Sequence, residues 1–323
     1  MTDGTDVLVV EDLRKEFGGV TAVDGVSFTV EEGTVTGLIG PNGAGKTTTF
    51  NLISGFYEPD AGRVLYRGRE IDDIMKPSKA ERLIWGTYSA LTAGAVGFGA
   101  SLWAGASRAV ASAVGGLGAG GGAGAYEAVE RAKERLGGRN RRPFRLTQEG
   151  LVRTFQITRE LGEVTVIENM MLAAKGQTGE SLHNVWLRGD GVADEERDVR
   201  ERALRRLELL EIDHLADEYA GNLSGGQRKL LELGRVLMTE PDLVLLDEPA
   251  AGVNPALTEK ITGRIEELSE KGYTFLMVEH DIDLVMSLCD EVIVMDQGRR
   301  VTQGTPGEVR EDERVLEAYL GGE

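Results

Sequence analysis

The chain contains 323 residues, with 36 Lys and Arg against 54 Asp and Glu, and its formal net charge is −18. Hydrophobic residues make up 41% of it and charged residues 28%, which excludes a disordered tail or a fibre. The acidic balance disfavours direct nucleic-acid binding, because phosphates repel an acidic surface. The single cysteine, Cys289, cannot close an intrachain disulfide, and the first residues form no apolar targeting core. We therefore expect a protein of the reducing cytosol.

Short β-branched runs separated by Gly and acidic turns open the chain. They predict strands over residues 7–10, 26–30 and 35–39. Residues 46–53 carry neither Gly nor Pro and show helical spacing, so a helix is expected to follow the third strand.

Farther along the chain, helical and strand patterns alternate. Amphipathic spacing predicts helices over residues 194–215 and 227–238. Near-continuous apolar runs predict strands over 243–246, 274–278 and 292–295. Strands that are apolar on both faces are typical of a parallel sheet covered by helices, so the sequence predicts an α/β fold.

Residues 76–147 differ in character from both flanking segments. No charged residue occurs over 83–107, and seven of the ten residues from 115 to 124 are Gly. The uncharged stretch has the length of a membrane span, about 20 residues, although Gly and Ala contribute little transfer free energy. Small residues also recur at every fourth position from Ala93 to Ala109. A loosely ordered surface excursion, a packed helical hairpin and a membrane span all remain open for this insertion.

A glycine-rich motif joins the predicted strand 35–39 to the helix that follows. It matches the pattern G-x-x-x-x-G-K-[ST] at Gly40, Pro41, Asn42, Gly43, Ala44, Gly45, Lys46 and Thr47, with Thr48 next. Glycines allow successive backbone N–H groups to face a phosphate, and the positive end of the helix dipole points at the same charge. We expect Lys46 to contact the β- and γ-phosphates and the Thr47 hydroxyl to bind Mg²⁺. The motif therefore predicts a site for nucleotide phosphates and Mg²⁺.

Two carboxylates, Asp247 and Glu248, follow the apolar run 243–246. They would lie at the carboxyl end of a parallel strand, where α/β sheets bind ligands. We expect Asp247 to hold Mg²⁺ through water, and Glu248 to orient or deprotonate the attacking water. An acidic turn is an ordinary alternative for one carboxylate, but a pair that accompanies a phosphate loop favours a role in phosphate chemistry.

A second glycine motif precedes the helix predicted over 227–238. It consists of Leu223, Ser224, Gly225, Gly226 and Gln227. With this LSGGQ sequence, the chain resembles the ATP-binding cassette (ABC) family over residues 7–74 and 151–320. The resemblance implies an α/β P-loop NTPase core with a mostly parallel sheet, an antiparallel β subdomain and a helical subdomain. The implied boundaries are 1–75 for the N-terminal part of the core, 76–147 for the insertion, 148–222 for the helical subdomain, and 223–323 for the C-terminal part of the core.

The same resemblance implies roles for residues outside the two glycine motifs. Phe17 resembles the aromatic residue that stacks on adenine. Gln156 resembles the glutamine that touches Mg²⁺ and the attacking water, and His280 resembles the histidine that contacts the γ-phosphate. Asn254 stands in a dimer loop where most cassettes carry Asp, so it keeps a hydrogen bond and loses a charge.

In the family, two cassettes pack head to tail, and each signature loop caps the ATP held by the other subunit. Ser224 and the amides of Gly225 and Gly226 would form this second anion site at a helix N-terminus. The resemblance thus implies a dimer with a second ABC ATPase subunit, identical or different, in which ATP lies at the interface.

Four short segments resemble the cassettes of branched-chain amino acid importers: 55–57, 153–156, 250–255 and 318–321. The resemblance implies an ATPase subunit at the cytoplasmic face of the membrane, bound peripherally to transmembrane permease subunits and served indirectly by a solute-binding protein. The cassette of a urea or amide importer and a soluble non-transport ABC ATPase remain alternatives. One phosphate loop, one signature and no heptads disfavour the soluble types that carry tandem cassettes or coiled coils.

Overall fold

A computed structural model describes residues 6–76, 141–154, 160–177 and 189–320. The chain divides into two units, Met1–Ile74 with Pro143–Glu323, and Met75–Arg142. Nearly all of the predicted insertion, and with it the choice among its three interpretations, lies outside the described residues. Among the helices of the described ranges, none combines the length and the apolar character needed to cross a bilayer.

An antiparallel sheet is formed by the N-terminal part of the chain. Its order is β2-β1-β4-β5. The strands predicted over 7–10 and 26–30 lie within β1 and β2, which extend to 12 residues each because their polar outer ends still pair with one another. The bounds are β1 Asp6–Phe17, β2 Val20–Glu31, β4 Ala61–Tyr66 and β5 Arg69–Glu70.

A second sheet forms the centre of the first unit. Its bounds are β3 Val35–Ile39, β6 Leu151–Arg153, β7 Leu243–Asp247, β8 Thr274–Val278, β9 Glu291–Asp296 and β10 Arg299–Gly304. The order is β10-β9-β3-β8-β7-β6, and all neighbours pair in parallel except β9 with β10. Every residue of β3 and β8 is buried. The predicted parallel sheet with apolar central strands is confirmed.

The described residues contain ten α-helices. Their bounds are α1 Lys46–Ile53, α2 Ile71–Met75, α3 Phe144–Gln148, α4 Val166–Met171, α5 Gly189–Leu209, α6 Gly225–Leu237, α7 Pro255–Glu270, α8 Ile282–Leu288, α9 Pro306–Glu311 and α10 Glu313–Leu320. The helix predicted over 194–215 ends early, at Leu209, because Glu211 takes a left-handed conformation with φ 55°. Ile212 is buried, but it lies in a turn after the helix. Its apolar side chain happens to fit the helical spacing, which is why the predicted helix was too long.

Cys289 lies at the end of α8, where that helix packs on β3. A Cβ on Gly37 of β3 would lie 2.9 Å from the Cys289 Sγ and 2.6 Å from a methyl of Val285. Burial raises the pKa of the Cys289 thiol to about 12. The burial of Cys289 and its raised pKa both favour an unreactive thiol.

Candidate active site

Three loops leave the central sheet at one edge. The adjacent strands β3, β8 and β7 run in parallel, with Leu38 opposite Val278 and Val278 opposite Asp247. The loops that begin at Gly40, Glu248 and Glu279 therefore emerge side by side. This register brings the phosphate loop, the carboxylate pair and the predicted His280 to the same edge, where parallel sheets bind ligands.

The phosphate loop requires glycine at two of its turns. Gly40 has φ 151°, and a Cβ there would lie 2.0 Å from the Met295 carbonyl oxygen. Gly45 has φ 97°, and a Cβ there would lie 2.4 Å from the carbonyl oxygen of Ala22. Gly45 is also the N-cap of α1, and no side chain caps this helix. The first amides of α1 therefore keep the positive character that suits an anion.

The Lys46 side chain lies over the phosphate loop that precedes it in the chain. Its Nζ donates to the carbonyl oxygens of Gly40 at 2.6 Å and Pro41 at 3.1 Å. Burial lowers the pKa of Lys46, and the nearby Glu248 carboxylate opposes that shift. The other motif residues line the same turn: Ala44 is buried, Thr48 is half-buried, and Asn42, Gly43 and Thr47 are exposed.

Asp247 is held by an arginine that our sequence analysis did not assign to the site. Arg153 Nη2 lies 2.6 Å from Asp247 Oδ2, and the two side chains are 7% and 25% exposed. Arg153 also donates to Asn51 Oδ1 at 2.7 Å, and its guanidinium lies 5.2 Å from the ring centroid of Phe50. The available signal was a charged residue that ends a short apolar strand beside β7. The ion pair fixes the orientation of the carboxylate.

Glu248 and His280 both have exposed side chains on adjacent loops. The Glu248 backbone is left-handed, with φ 50°, and its N–H donates to the Val278 carbonyl at 2.9 Å. His280 Nδ1 lies 3.7 Å from Oε2 of Glu279, which is buried. Gln156, the third predicted catalytic residue, lies outside the described residues.

Phe17 is the last residue of β1, and 42% of the residue is exposed. The ring meets Tyr57 edge to face, with centroids 5.2 Å apart and an interplanar angle of 68°. Lys15 Nζ lies 5.5 Å from the Phe17 centroid. Tyr57 follows α1, so it links the aromatic residue of the antiparallel sheet to the phosphate-loop helix. Tyr57 belongs to the segment 55–57, and its place in the site was not predicted from the sequence.

The signature residues begin α6. Ser224 is its N-cap: the serine Oγ accepts from the Gln227 N–H at 3.4 Å, and Gln227 Oε1 accepts from the Ser224 N–H at 2.9 Å. Leu223 and Gly226 are buried, and Ser224 and Gly225 are exposed. Within the described parts of the chain, no hydrogen bond joins the signature residues to the phosphate loop. The structure thus presents them as two distinct helix N-termini.

Asn254 begins α7 as its N-cap. Its Oδ1 accepts from the Leu257 N–H at 3.0 Å, and Pro255 follows at the first helical position. Leu257 in turn packs on the signature helix, since a Cβ on Gly226 would overlap its Cδ2. The dimer-loop residue therefore caps a helix that contacts α6.

Comparison with family models decides what kind of protein carries this site. A model described as ABC transporter matches residues 23–92 and 130–251, which is more than half of the chain. The chain belongs to the ABC transporter family. A second model, described as branched-chain amino acid ATP-binding cassette transporter, matches residues 299–323 of this cassette.

Individual relatives cover the cassette nearly from end to end. A probable branched-chain amino acid transport ATP-binding protein, LivG of Archaeoglobus fulgidus, is 33% identical over 98% of this chain and 96% of its own length. The high-affinity branched-chain amino acid transport ATP-binding protein BraF of Pseudomonas aeruginosa is 32% identical over 98% of each chain. A solved structure of the ADP conformation of MJ1267, an ATP-binding cassette of an ABC transporter, is 33% identical, covers 98% of this chain and 99% of its own, and has a TM-score of 0.65.

The family membership and these structural relatives confirm two predictions made from the sequence. The fold is that of an α/β P-loop NTPase, and the chain is an ATPase cassette of a transporter. The individual site residues and the domain boundaries remain predictions.

Proposed function

We propose that this cassette is the ATP-hydrolysing subunit of an importer for branched-chain or related amino acids. The observation that carries the hydrolytic part is the common edge of β3, β7 and β8, which gathers Lys46, Asp247, Glu248 and His280. The substrate class is supported by the names of the relatives and by the family model that matches residues 299–323.

Nucleotide binding would use the N-terminus of the phosphate-loop helix and the aromatic pair Phe17 and Tyr57. We expect the Lys46 ammonium to reach the β- and γ-phosphates while the uncapped amides of α1 face the same charge. Phe17 offers an exposed ring face to adenine, and Tyr57 supports that ring from its edge.

The oxygen ligands at this edge fit Mg²⁺. The Thr47 hydroxyl and the Asp247 carboxylate are hard donors, and Mg²⁺ in phosphate sites needs only one or two protein ligands besides water and phosphate. Arg153 occupies one carboxylate oxygen of Asp247, and the other can accept a hydrogen bond from metal-bound water. When bound, Mg²⁺ would neutralise charge on the β- and γ-phosphates.

Glu248 is the residue we expect to accept a proton from the attacking water or to orient it. Glu248 follows Asp247 directly, and its exposed carboxylate lies close enough to Lys46 to raise the pKa of the lysine. His280, on the neighbouring loop, would contact the γ-phosphate. Gln156, which lies outside the described residues, would touch Mg²⁺ and the attacking water.

Head-to-tail dimerisation is supported by Gly225. A Cβ on this residue would meet no atom within 4 Å, and its backbone has no positive φ, so nothing in the described part of its own chain requires glycine there. A close approach by a group from outside the chain accounts for the missing side chain. The γ-phosphate held by a second cassette fits the adjacent Ser224 hydroxyl and helix N-terminus.

Transport would require partners that supply the membrane pathway. We propose transmembrane permease subunits as direct partners at the cytoplasmic face of the membrane, and a solute-binding protein that selects the substrate. The cassette would pass its ATP-driven motion to the permease through the helical subdomain.

The test is hydrolysis and transport by the cassette together with the permease subunits that copurify from native membrane. We expect Glu248→Gln to lower hydrolysis by about 10²- to 10⁴-fold and to trap ATP-bound dimers. Glu259→Gln, which changes an exposed carboxylate on α7, is the matched control and should hydrolyse ATP normally. Unchanged hydrolysis in Glu248→Gln would remove that residue from the role. Uptake of urea but not of leucine, isoleucine or valine would contradict the proposed substrate.

A further inference from the structure

The backbone of Glu248 is in a conformation that needs external support. Its φ of 50° places a non-glycine residue in the left-handed region. Such residues are energetically unfavourable and persist only where the surrounding structure holds them in place. Two side chains hold the segment 248–251, which we call the Glu248 loop.

One support comes from the signature helix. Lys229 of α6 directs its ammonium into the Glu248 loop and donates to the carbonyl oxygens of Ala251 at 2.6 Å, Pro249 at 2.9 Å and Glu248 at 3.4 Å. An ammonium has three N–H donors and no acceptor, so a group of three carbonyls matches its chemistry. Burial lowers the pKa of Lys229, and the Glu279 carboxylate is the first of the charges that oppose this shift.

A second support comes from the strand that leads to His280. Glu279, only 1% exposed, accepts the Ala250 N–H at 2.9 Å through Oε1 and the His280 N–H at 3.3 Å through Oε2. Burial raises the pKa of Glu279, while these two backbone donors favour its charged form. A buried carboxylate thus joins the Glu248 loop to the residue predicted to contact the γ-phosphate.

The two side chains grip the same short loop from different elements. Lys229 donates hydrogen bonds to carbonyl oxygens of the loop, and Glu279 accepts a hydrogen bond from the Ala250 N–H. In addition, the Glu248 N–H is bonded to the last residue of β8. Hydrogen bonds therefore hold both carbonyl and N–H groups of the loop backbone.

We propose that Lys229 and Glu279 act as positioning residues that hold the Glu248 loop in its strained conformation, and that Lys229 thereby ties the signature helix to the hydrolytic carboxylate of the same chain. This inference rests on the proposed function, in which Glu248 serves hydrolysis and the start of α6 receives the ATP of the partner. Displacement of α6 by the partner's ATP would then be transmitted to Glu248 through one ammonium group.

The experiment compares variants of the full chain in its permease complex. Lys229→Met removes the donors while keeping the length of the side chain, Lys229→Arg restores a cation, and Lys271→Met removes an exposed lysine that pairs with Glu267. We expect Lys229→Met to lower kcat by about tenfold to a hundredfold, with KM for ATP and equilibrium ATP affinity within about twofold of wild type. Lys229→Arg should recover most of kcat, and Lys271→Met should match wild type.

Amide hydrogen exchange provides a readout that does not depend on turnover. Three N–H groups of the loop donate hydrogen bonds: Glu248 to the Val278 carbonyl, Ala250 to the Glu279 carboxylate, and Ala251 to the Glu248 carbonyl. We expect Lys229→Met to exchange about tenfold faster in a peptide spanning 248–252, with α6 and the phosphate loop unchanged. Equal acceleration across the first unit, or equal losses in kcat and ATP affinity, would mean general destabilisation and would overturn the proposal.

Glu279→Gln probes the second grip and serves if Lys229→Met does not fold. It should also lower kcat while sparing KM, and the double variant should lose less than the product of the two single effects, because both act on one loop. Fully multiplicative losses, or wild-type kcat in either single variant, would refute the paired role. Absence of ATP hydrolysis in the wild-type complex would instead refute the proposed function.

Discussion

The helices α1 and α6 both begin at glycine-rich motifs, yet their N-termini are built in opposite ways. The start of α1 has no side-chain cap, and its turn depends on glycines that press against the backbone of neighbouring segments. The start of α6 has a complete capping box from Ser224 and Gln227, and Gly225 faces open space. At α1 the glycines serve the conformation of their own chain, whereas nothing within 4 Å in the described part of the chain requires glycine at Gly225 of α6.

This difference indicates how the two ends can respond to phosphate. The uncapped amides of α1 are oriented for an anion by the fold itself. At α6, the Ser224 hydroxyl already accepts a hydrogen bond from Gln227, so it can donate to a phosphate without giving up that bond. We infer that the first site binds nucleotide in a single subunit and that the second acts only after assembly.

The largest effect should come from breaking the α1 side. Lys46→Ala removes a charge-assisted phosphate contact, and we expect ATP affinity to fall by about 10- to 100-fold. An equilibrium nucleotide titration measures this, with Lys271→Ala as the control for loss of a surface lysine. Unchanged affinity would show that the α1 amides alone supply the binding energy.

The next largest effect should come from Ser224→Asp. Aspartate caps a helix about as well as serine, so the free energy of unfolding should change by only a few tenths of a kcal/mol. Its carboxylate would repel a γ-phosphate, however, and we expect ATP-dependent dimerisation to weaken by about tenfold or more. Sedimentation with ATP and the Glu248→Gln background would measure it. Dimerisation equal to wild type would place the phosphate contact elsewhere.

A smaller effect is expected for Ser224→Ala, which tests how much the helix cap contributes to stability. Loss of the cap should lower the free energy of unfolding by about 1 kcal/mol. Thermal or denaturant unfolding of the monomer measures this directly. Because α1 has no side-chain cap to lose, Thr47→Ala at the first turn of α1 should leave unfolding nearly unchanged, and a comparable loss there would blur the distinction.

The smallest effect should come from Asn254→Asp. Both residues cap helices equally well, so α7 should keep its stability within about 0.3 kcal/mol. The change introduces a negative charge into the predicted dimer loop. Hydrolysis measured against ATP concentration would reveal whether that charge increases cooperativity between the two sites; identical curves would show that the cap is what the position supplies.

Sequence reasoning worked best where chemistry and local geometry coincide. The apolar runs of β7 and β8 and the phosphate loop were predictable because burial on both faces and the need for left-handed turns restrict residue choice strongly. The end of α5 was not, because Ile212 is apolar for the benefit of a turn, which helical spacing alone cannot distinguish. Arg153 and Lys229 were missed for another reason. Asp247 lies 94 positions from Arg153, and the pairing of β6 with β7 brings the two together. The Glu248 loop lies 19–22 positions from Lys229, and the two meet only in the tertiary structure.

The tight seat of Cys289 against Gly37 has a practical consequence. The only thiol of the chain is protected by packing and by a pKa of about 12, so it should ignore maleimide reagents near neutral pH. Spectroscopic probes can then be attached at introduced cysteines in the otherwise native background. A label beside the signature and another on the phosphate-loop face would report, as a single interprobe distance, when two copies meet.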